Sequence, residues 1–359
     1  GFIAILFENL VYKFADIFAK NYFKFSIPLS LLFFSLTLLM VSRDYMGPVK
    51  NIDQCQSDES ISLYCGFNNP EDMALLPDNK FFLMSEFGGI KPYEEKDGEG
   101  SFALLRINDG TKITPQIKFG ENVWGDPSCK RNPSDNFGPH GVDLIQRDDG
   151  LIQFGVVNHS PFESVEFFEL TQDANSWLMT WRGCVIAPEE NYFNDLSLKR
   201  DGSFYVTHMY ERDITVNEWL SAALFKYSTG YVLKWDKKNF SKVVGSDGGQ
   251  PNGIGLDEDS ELLYVNYNLG DELRVINLLN GESIGRYKIN SPDNMILLDQ
   301  SIWLTSLDHE TIDVMVNCDI EISVTCSLPF SIHEIDLVSL KKKNIYSFQE
   351  TVFGFPTTA

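Results

Sequence analysis

From about residue 67 onward, short apolar or aromatic runs alternate with polar turns, the texture of β-strands. Phe102–Ile107, Leu151–Val157 and Leu262–Tyr267 are examples. Five of these runs begin with the same kind of polar opening: Pro70-Glu71-Asp72, Pro139-His140-Gly141, Phe193-Asn194-Asp195, Pro251-Asn252-Gly253 and Pro292-Asp293-Asn294. Each leads into an alternating apolar stretch, a turn such as Asp201-Gly202 or Asp299-Gln300, and a second β-rich run. A repeated strand–turn–strand unit predicts a closed repeat architecture, in which equivalent residues converge on one axis.

The anchors Glu71, His140, Asn194, Asn252 and Asp293 are 69, 54, 58 and 41 residues apart. A four-stranded propeller blade takes about 40–50 residues. The longer gaps therefore predict insertions at 88–101, 117–138 and 209–222, with a short helix near Trp219–Leu224. The expectation is an all-β, six-bladed β-propeller over residues 67–359, with Phe353–Ala359 at the sixth opening and no strand pair after it. On this reading the last blade is either closed by N-terminal strands or cut short at the C-terminus. A β-sandwich accounts for the alternation but not for five polar openings at roughly blade-length spacing.

The N-terminal pattern is different. Ile3, Leu6, Phe7, Leu10, Phe14, Ile17 and Phe18 recur at helical spacing opposite Glu8, Asn9, Lys13 and Asp16, predicting an amphipathic interface or partner-binding helix over 1–21. Phe23–Val41 is apolar apart from Lys24 and four hydroxyl side chains, close to the ~20 residues that span a bilayer. A transmembrane signal-anchor over 22–43 and a polar connector over 44–66 follow. Lys13, Lys20 and Lys24 before the span, against Arg43 and Lys50 after it, place the N-terminus in the cytoplasm and the propeller on the extracytoplasmic side. Residues 1–43 would contact the membrane, a membrane-protein partner or another copy.

Net charge is −22, with 51 acidic and 29 basic residues, which excludes a nucleic-acid partner on phosphate-binding grounds. Six cysteines without a CxxC pair argue for disulfides over a zinc knuckle. Cys318 with Cys326 is the first expected pair and Cys55 with Cys65 the second, while Cys129 and Cys184 either pair or stay free. There is no Gly-x-Ser-x-Gly elbow, P-loop or dinucleotide fingerprint. What remains is oxygen chemistry. Glu71, Asn194, Asn252, Asp293 and Asn294 offer acid and amide oxygens of the kind calcium takes. Asp72, Asp195 and the carbonyl near Val142 offer a second set one or two residues further along. His140 at an anchor and His159 one hairpin on are candidates for proton transfer.

At these residues the chain resembles the paraoxonase/arylesterase family of calcium-dependent lactonases. The segments that carry the likeness are Pro70–Glu86, Pro139-His140-Gly141, Val156-Val157-Asn158-His159 with Ser164–Phe168, Asn194-Asp195, Asn252-Gly253 and Asp293-Asn294. The resemblance implies two calcium ions. One, catalytic, would be held by Glu71, Asn194, Asn252, Asp293 and Asn294; the other, structural, by Asp72, Asp195 and the Val142 carbonyl. It implies His140, His159 and Asp293 as the catalytic set, acting on a lactone or aryl ester. The family's disulfide to a C-terminal cysteine has no counterpart after Cys326. The competing reading is a non-catalytic, calcium-stabilised propeller serving as scaffold in a membrane complex. A strictosidine-synthase-like or gluconolactonase-like propeller stands third, because the paired histidines weigh against it.

Overall fold

The computed structural model describes residues 13, 21–22, 24, 26–37, 46–49, 55–57, 61–89, 99–173, 176–318, 326–349, 351 and 355–359. The chain divides into two compact units, Gly1–Val49 with His309–Val324, and Lys50–Asp308 with Thr325–Ala359.

The larger unit is a β-propeller of five sheets. Blade 1 holds β1 (Pro70–Leu75), β2 (Phe81–Glu86), β3 (Ser101–Arg106) and β4 (Thr111–Ile113). Blade 2 holds β5 (Gln116–Phe119), β6 (Pro139–Gln146), β7 (Ile152–Asn158), β8 (Ser164–Asp173) and β9 (Ser176–Ile186), with β5 added parallel to β9. Blade 3 holds β10 (Asn191–Leu198), β11 (Phe204–Glu211), β12 (Tyr231–Trp235) and β13 (Phe240–Lys242). Blade 4 holds β14 (Pro251–Asp257), β15 (Leu262–Tyr267), β16 (Glu272–Asn277) and β17 (Ser283–Lys288). Blade 5 holds β18 (Pro292–Leu298), β19 (Ser301–Leu307), β20 (Phe330–Asp336) and β21 (Lys342–Phe348). The five openings start the five inner strands, and proline heads four of them, where a missing N–H costs no ladder bond.

The expected sixth blade is corrected to five among the described residues. The C-terminal opening Pro356-Thr357-Thr358 is there, but as a lone inner segment beside β18 and β1. The Thr357 carbonyl accepts from Asn294 N (2.8 Å) and Thr305 Oγ1 (3.3 Å), and Thr357 Oγ1 donates to the Pro70 carbonyl (3.4 Å). Among the described residues it joins no sheet.

Apolar clusters fill the spaces between neighbouring blades, for example Phe102, Phe154 and Phe168 between blades 1 and 2. Phe167, Phe193, Phe204 and Trp235 do the same between blades 2 and 3. Inner strands are therefore covered on both faces, and β10 is buried at every position. The expected helix in the third insertion is Val216–Phe225, started by a Thr215–Glu218 capping box. Cys55–Cys65 and Cys129–Cys184 are disulfides, Cys318 and Cys326 are also disulfide-bonded, and no described cysteine is free. The Cys129–Cys184 question is thus settled in favour of a bond.

In the smaller unit, helix Thr311–Asn317 receives Met46 N on Asp313 Oδ1 and Val49 N on Asn317 Oδ1, both at 2.9 Å. Among the described residues no helix is long and apolar enough to cross a membrane. The described part of the expected span is helical at 22, 24 and 26–37; residues 23, 25 and 38–43, and nearly all of the expected amphipathic helix over 1–21, lie outside the described residues.

Candidate functional site

A regular strand sends consecutive side chains to opposite faces, so Glu71 and Asp72 should not share the central axis. They share it because every inner strand is bulged at its opening. In β6, Pro139 pairs with Asn158 and Val142 with Val156, three residues against two. The same single extra residue occurs between Pro70 and Asp72, Phe193 and Leu196, Pro251 and Ile254, and Pro292 and Met295. A bulge bends the strand and re-aims the extra residue. Side chains on the second strand satisfy the backbone it unpairs. Thr207 Oγ1 accepts from Asp195 N (2.9 Å) and donates to the Asp195 carbonyl (3.1 Å). Ser85 does the same for Asp72, whereas the Asp293 carbonyl of blade 5 accepts from Asn266 Nδ2 on the second strand of blade 4.

The openings alternate in bulk. Blades 1, 3 and 5 carry two polar side chains, while blades 2 and 4 carry one and a glycine. A Cβ on Gly141 would lie 2.5 Å from the Asp195 Cα, and one on Gly253 would lie 2.6 Å from the Asn294 Cα. The glycines let the second-position side chains of blades 3 and 5 approach the axis.

Two layers result. In the upper layer Asn294 Nδ2 donates to Glu71 Oε2 (3.1 Å), and Asn252 hydrogen-bonds the Asp293 carboxylate. Four buried oxygens here, Asn194 Oδ1, Asn252 Oδ1, Asp293 Oδ1 and Asn294 Oδ1, have no hydrogen-bond partner. In the lower layer Asp72 Oδ2 accepts from Val142 N (2.8 Å) and Asp195 Oδ2 from Ile254 N (2.9 Å), so each carboxylate ties its blade to the next. Val142 therefore meets Asp72 through its amide. Below them a cavity of about 530 Å³ follows the axis, lined by Asp143, Leu144, Leu198, Ile254, Leu297 and Trp303 among others. Asp143 repeats the tie, accepting from Leu198 N at 2.6 Å, and burial pushes it up to about 6.

Burial pushes Glu71 up to about 7. It raises Asp72, Asp195 and Asp293 well above the carboxylate range, and the neighbouring acids Glu71 and Asp72 push them further. No lysine or arginine pairs with any of the four among the described residues. Carboxylates buried together without a cation, beside amide oxygens without donors, fit a hard dication. Among the described residues no three His, Cys, Asp or Glu side chains form a metal-binding group, so the asparagine oxygens would have to complete the ligand set.

Beside the upper layer runs a hydrogen-bonded chain. His140 Nε2 lies 3.2 Å from Glu71 Oε1, and His140 Nδ1 lies 2.9 Å from His159 Nε2. His159 Nδ1 lies 2.8 Å from Glu163 Oε2, whose other oxygen accepts from Phe193 N at 2.7 Å. Phe87 stacks on His140 and Tyr192 on His159. Burial, then His159, holds His140 well below the usual histidine range. The sequence-expected residues Glu71, Asp72, His140, Val142, His159, Asn194, Asp195, Asn252, Asp293 and Asn294 all meet in this region. Glu163, Phe87 and Tyr192 were missed. Only the i,i+4 spacing of Glu163 from His159 hinted at it, and a turn, not a helix, carries that spacing.

Residues 163–290 match the family described as SMP-30/Gluconolactonase/LRE-like region. This is the kind of propeller the sequence reading placed third, and nothing in the match ties the chain to paraoxonases in particular. No curated protein matches the chain. Among solved structures, a gluconolactonase from Xanthomonas campestris is 14% identical over 80% of this chain and 78% of that one, with a TM-score of 0.43. A hypothetical selenium-binding protein from Sulfolobus tokodaii is 12% identical over 79% and 67%, with a TM-score of 0.46. The chain in a nidogen/laminin complex is 11% identical over 79% and 83%, also at 0.46. The chain is a β-propeller that contains an SMP-30/gluconolactonase-like region.

Proposed function

We propose that this protein is a calcium-dependent hydrolase of lactones and aryl esters. The observation that carries the reading is the juxtaposition of four partnerless buried oxygens with the Glu71–His140–His159–Glu163 chain. Glu71, Asn194, Asn252, Asp293 and Asn294 would hold one calcium, and Asp72, Asp195 and the Val142 carbonyl a second. The ion in the upper layer would supply Lewis-acid polarisation of a substrate carbonyl.

The chain's own residues handle the proton. A Glu163 carboxylate only accepts, so the proton on His159 sits at Nδ1 and Nε2 is left as acceptor. His140 then donates from Nδ1 to His159, which leaves the lone pair of His140 Nε2 facing Glu71 Oε1 at 3.2 Å, so Glu71 must hold a proton or turn to the ion for that nitrogen to act as base. That nitrogen takes the proton of an attacking water, and Glu163 stabilises the resulting positive charge through His159. Phe87 and Tyr192 keep the two rings in place and exclude water from their faces.

The test is a panel of γ- and δ-lactones and phenyl acetate assayed with calcium and after chelation. Hydrolysis lost on chelation and restored by calcium is expected. Undiminished hydrolysis after complete chelation would sink the metal role, and no hydrolysis at any calcium concentration would sink the activity. The membrane anchor over 22–43 and the extracytoplasmic propeller belong to the same proposal. Alkaline carbonate extraction of the expressed protein from membranes tests the anchor, and release into the supernatant argues against it.

A further inference from the structure

The loop before His140 and the turn after His159 are joined by a group that the proton chain does not include. Arg131 and Glu166 form an ion pair at 2.9 Å with both side chains fully inaccessible. Burying such a pair costs desolvation that a hydrophobic pair avoids, so its use lies in geometry more than in stability. The guanidinium fork reaches further acceptors: the Asn136 carbonyl at 2.5 Å, the Ser160 carbonyl at 3.3 Å from both terminal nitrogens, and the Asp135 carbonyl at 3.4 Å. Its Cζ lies 3.7 Å from the Phe137 ring centre. Glu166 is fixed in turn by Trp181 Nε1 (2.6 Å) and Ser164 Oγ (3.0 Å).

Two residues back, Cys129 is bonded to Cys184, and Cys184 is the cross-strand partner of Glu166. One covalent and one ionic staple thus fasten the same loop to adjacent positions of β8 and β9. The loop then delivers Gly138, whose carbonyl accepts from His159 N (2.8 Å) and whose N donates to Asn158 Oδ1 (2.9 Å), followed by Pro139 and His140. Arg131 grips the carbonyl of Ser160, the residue after His159.

We infer that Arg131, paired with Glu166 beside the Cys129–Cys184 disulfide, is a positioning residue that holds His140 and His159 at hydrogen-bond distance. The inference rests on the histidine pair being the proton-handling element of the proposed hydrolase. A lysine at 131 would keep the charge opposite Glu166 but lose the fork to Ser160 and Asn136. A double substitution, Arg131→Met with Glu166→Gln, removes both charges, so no buried charge is left unpaired.

The experiment compares wild type, Arg131→Lys and the double variant by steady-state kinetics, by calcium-dependent thermal melting and by NMR of ¹⁵N-labelled histidine rings. Expected is a fall in kcat on the order of 10- to 100-fold, as for a small misplacement of a catalytic group. KM and the calcium-induced rise in melting temperature stay near wild type, and the downfield Nδ1–H signal of His159 broadens or is lost. Wild-type kcat with an unchanged His159 signal would overturn the inference. So would loss of the calcium-induced rise together with activity, which marks a general structural role. If the wild type hydrolyses no lactone or ester, the catalytic reading has failed by itself, and the His159 signal alone decides whether Arg131 positions the pair.

Discussion

Glu163 Oε2 lies 2.8 Å from His159 Nδ1, at one end of a chain of contacts that runs through His159 Nε2 and His140 Nδ1 to Glu71. With Glu163 accepting and Glu71, which burial pushes up to about 7, able to keep its own proton, each imidazole can donate towards Glu163 and turn its other nitrogen to the oxygen ring.

Replacing Glu163 with Gln should reverse that order. The amide NH₂ would face His159 Nδ1 and favour the other tautomer, while the amide oxygen could still accept from Phe193 N. We expect kcat for lactone or ester hydrolysis to fall on the order of 100-fold or more, with little change in KM. Steady-state kinetics checks this, and a variant within twofold of wild type would rule out the proton chain.

Calcium should stabilise the fold because it answers four buried carboxylates at once. At a free concentration about 100 times its dissociation constant, a ligand specific for the native state adds roughly 2.7 kcal/mol. Melting temperature measured across a calcium titration should rise in the wild type. Asp195→Asn and Asn252→Ala should each shrink that rise. Equal rises in all three proteins would count against these residues as ligands.

Gly253→Ala should damage the site without replacing a ligand side chain. The added methyl would sit 2.6 Å from both the Asn294 Cα and the Asp293 carbonyl oxygen, which are backbone atoms that cannot swing away. Overpacking of this kind typically costs 1–3 kcal/mol. The expected readout in denaturant unfolding is a loss of about that size, with weaker calcium affinity by calorimetry. An unchanged affinity would show that the close approach does not set the ligand geometry.

His208 makes the fold sensitive to acid. Its ring is fully buried, Nδ1 accepts from Tyr192 N at 3.1 Å, and burial lowers its pKa from 6.5 to about 4. The folded value lies below the unfolded one, so the unfolded chain takes up the extra proton. This contribution is fully present above pH 6.5 and is lost as pH falls towards 4, by roughly 3 kcal/mol in all. Urea unfolding of wild type and His208→Gln, in saturating calcium between pH 7.5 and 4.5, should show a difference that changes over that window. A pH-independent difference would contradict the assignment.

Much of this protein is legible along the chain. Pro-Glu-Asp, Pro-His-Gly, Asn-Asp, Pro-Asn-Gly and Pro-Asp-Asn announce themselves because each must begin an inner strand, where only a proline and polar side chains suit the axis. The oxygen chemistry follows from the same residues, since side-chain type is a local property. A short helix at Trp219–Leu224 was expected along the chain, and it is Val216–Phe225.

What spacing along the chain could not supply is whatever depends on two strands meeting. Asp72 joins Glu71 at the axis only because a bulge breaks the alternation of β1, and Ser85, thirteen residues away, satisfies the bulge. Glu163 and Arg131 look like ordinary charged residues in turns until folding buries them against His159 and Ser160. The described residues form five sheets where six blades were expected, and Pro356-Thr357-Thr358, which has the sequence of an opening, hydrogen-bonds to Asn294, Thr305 and Pro70 without joining a sheet. Residue types and their recurrence determined the β-propeller architecture and which polar side chains open its inner strands. Register, bulges and burial, which are collective properties of packed strands, decided which side chains meet.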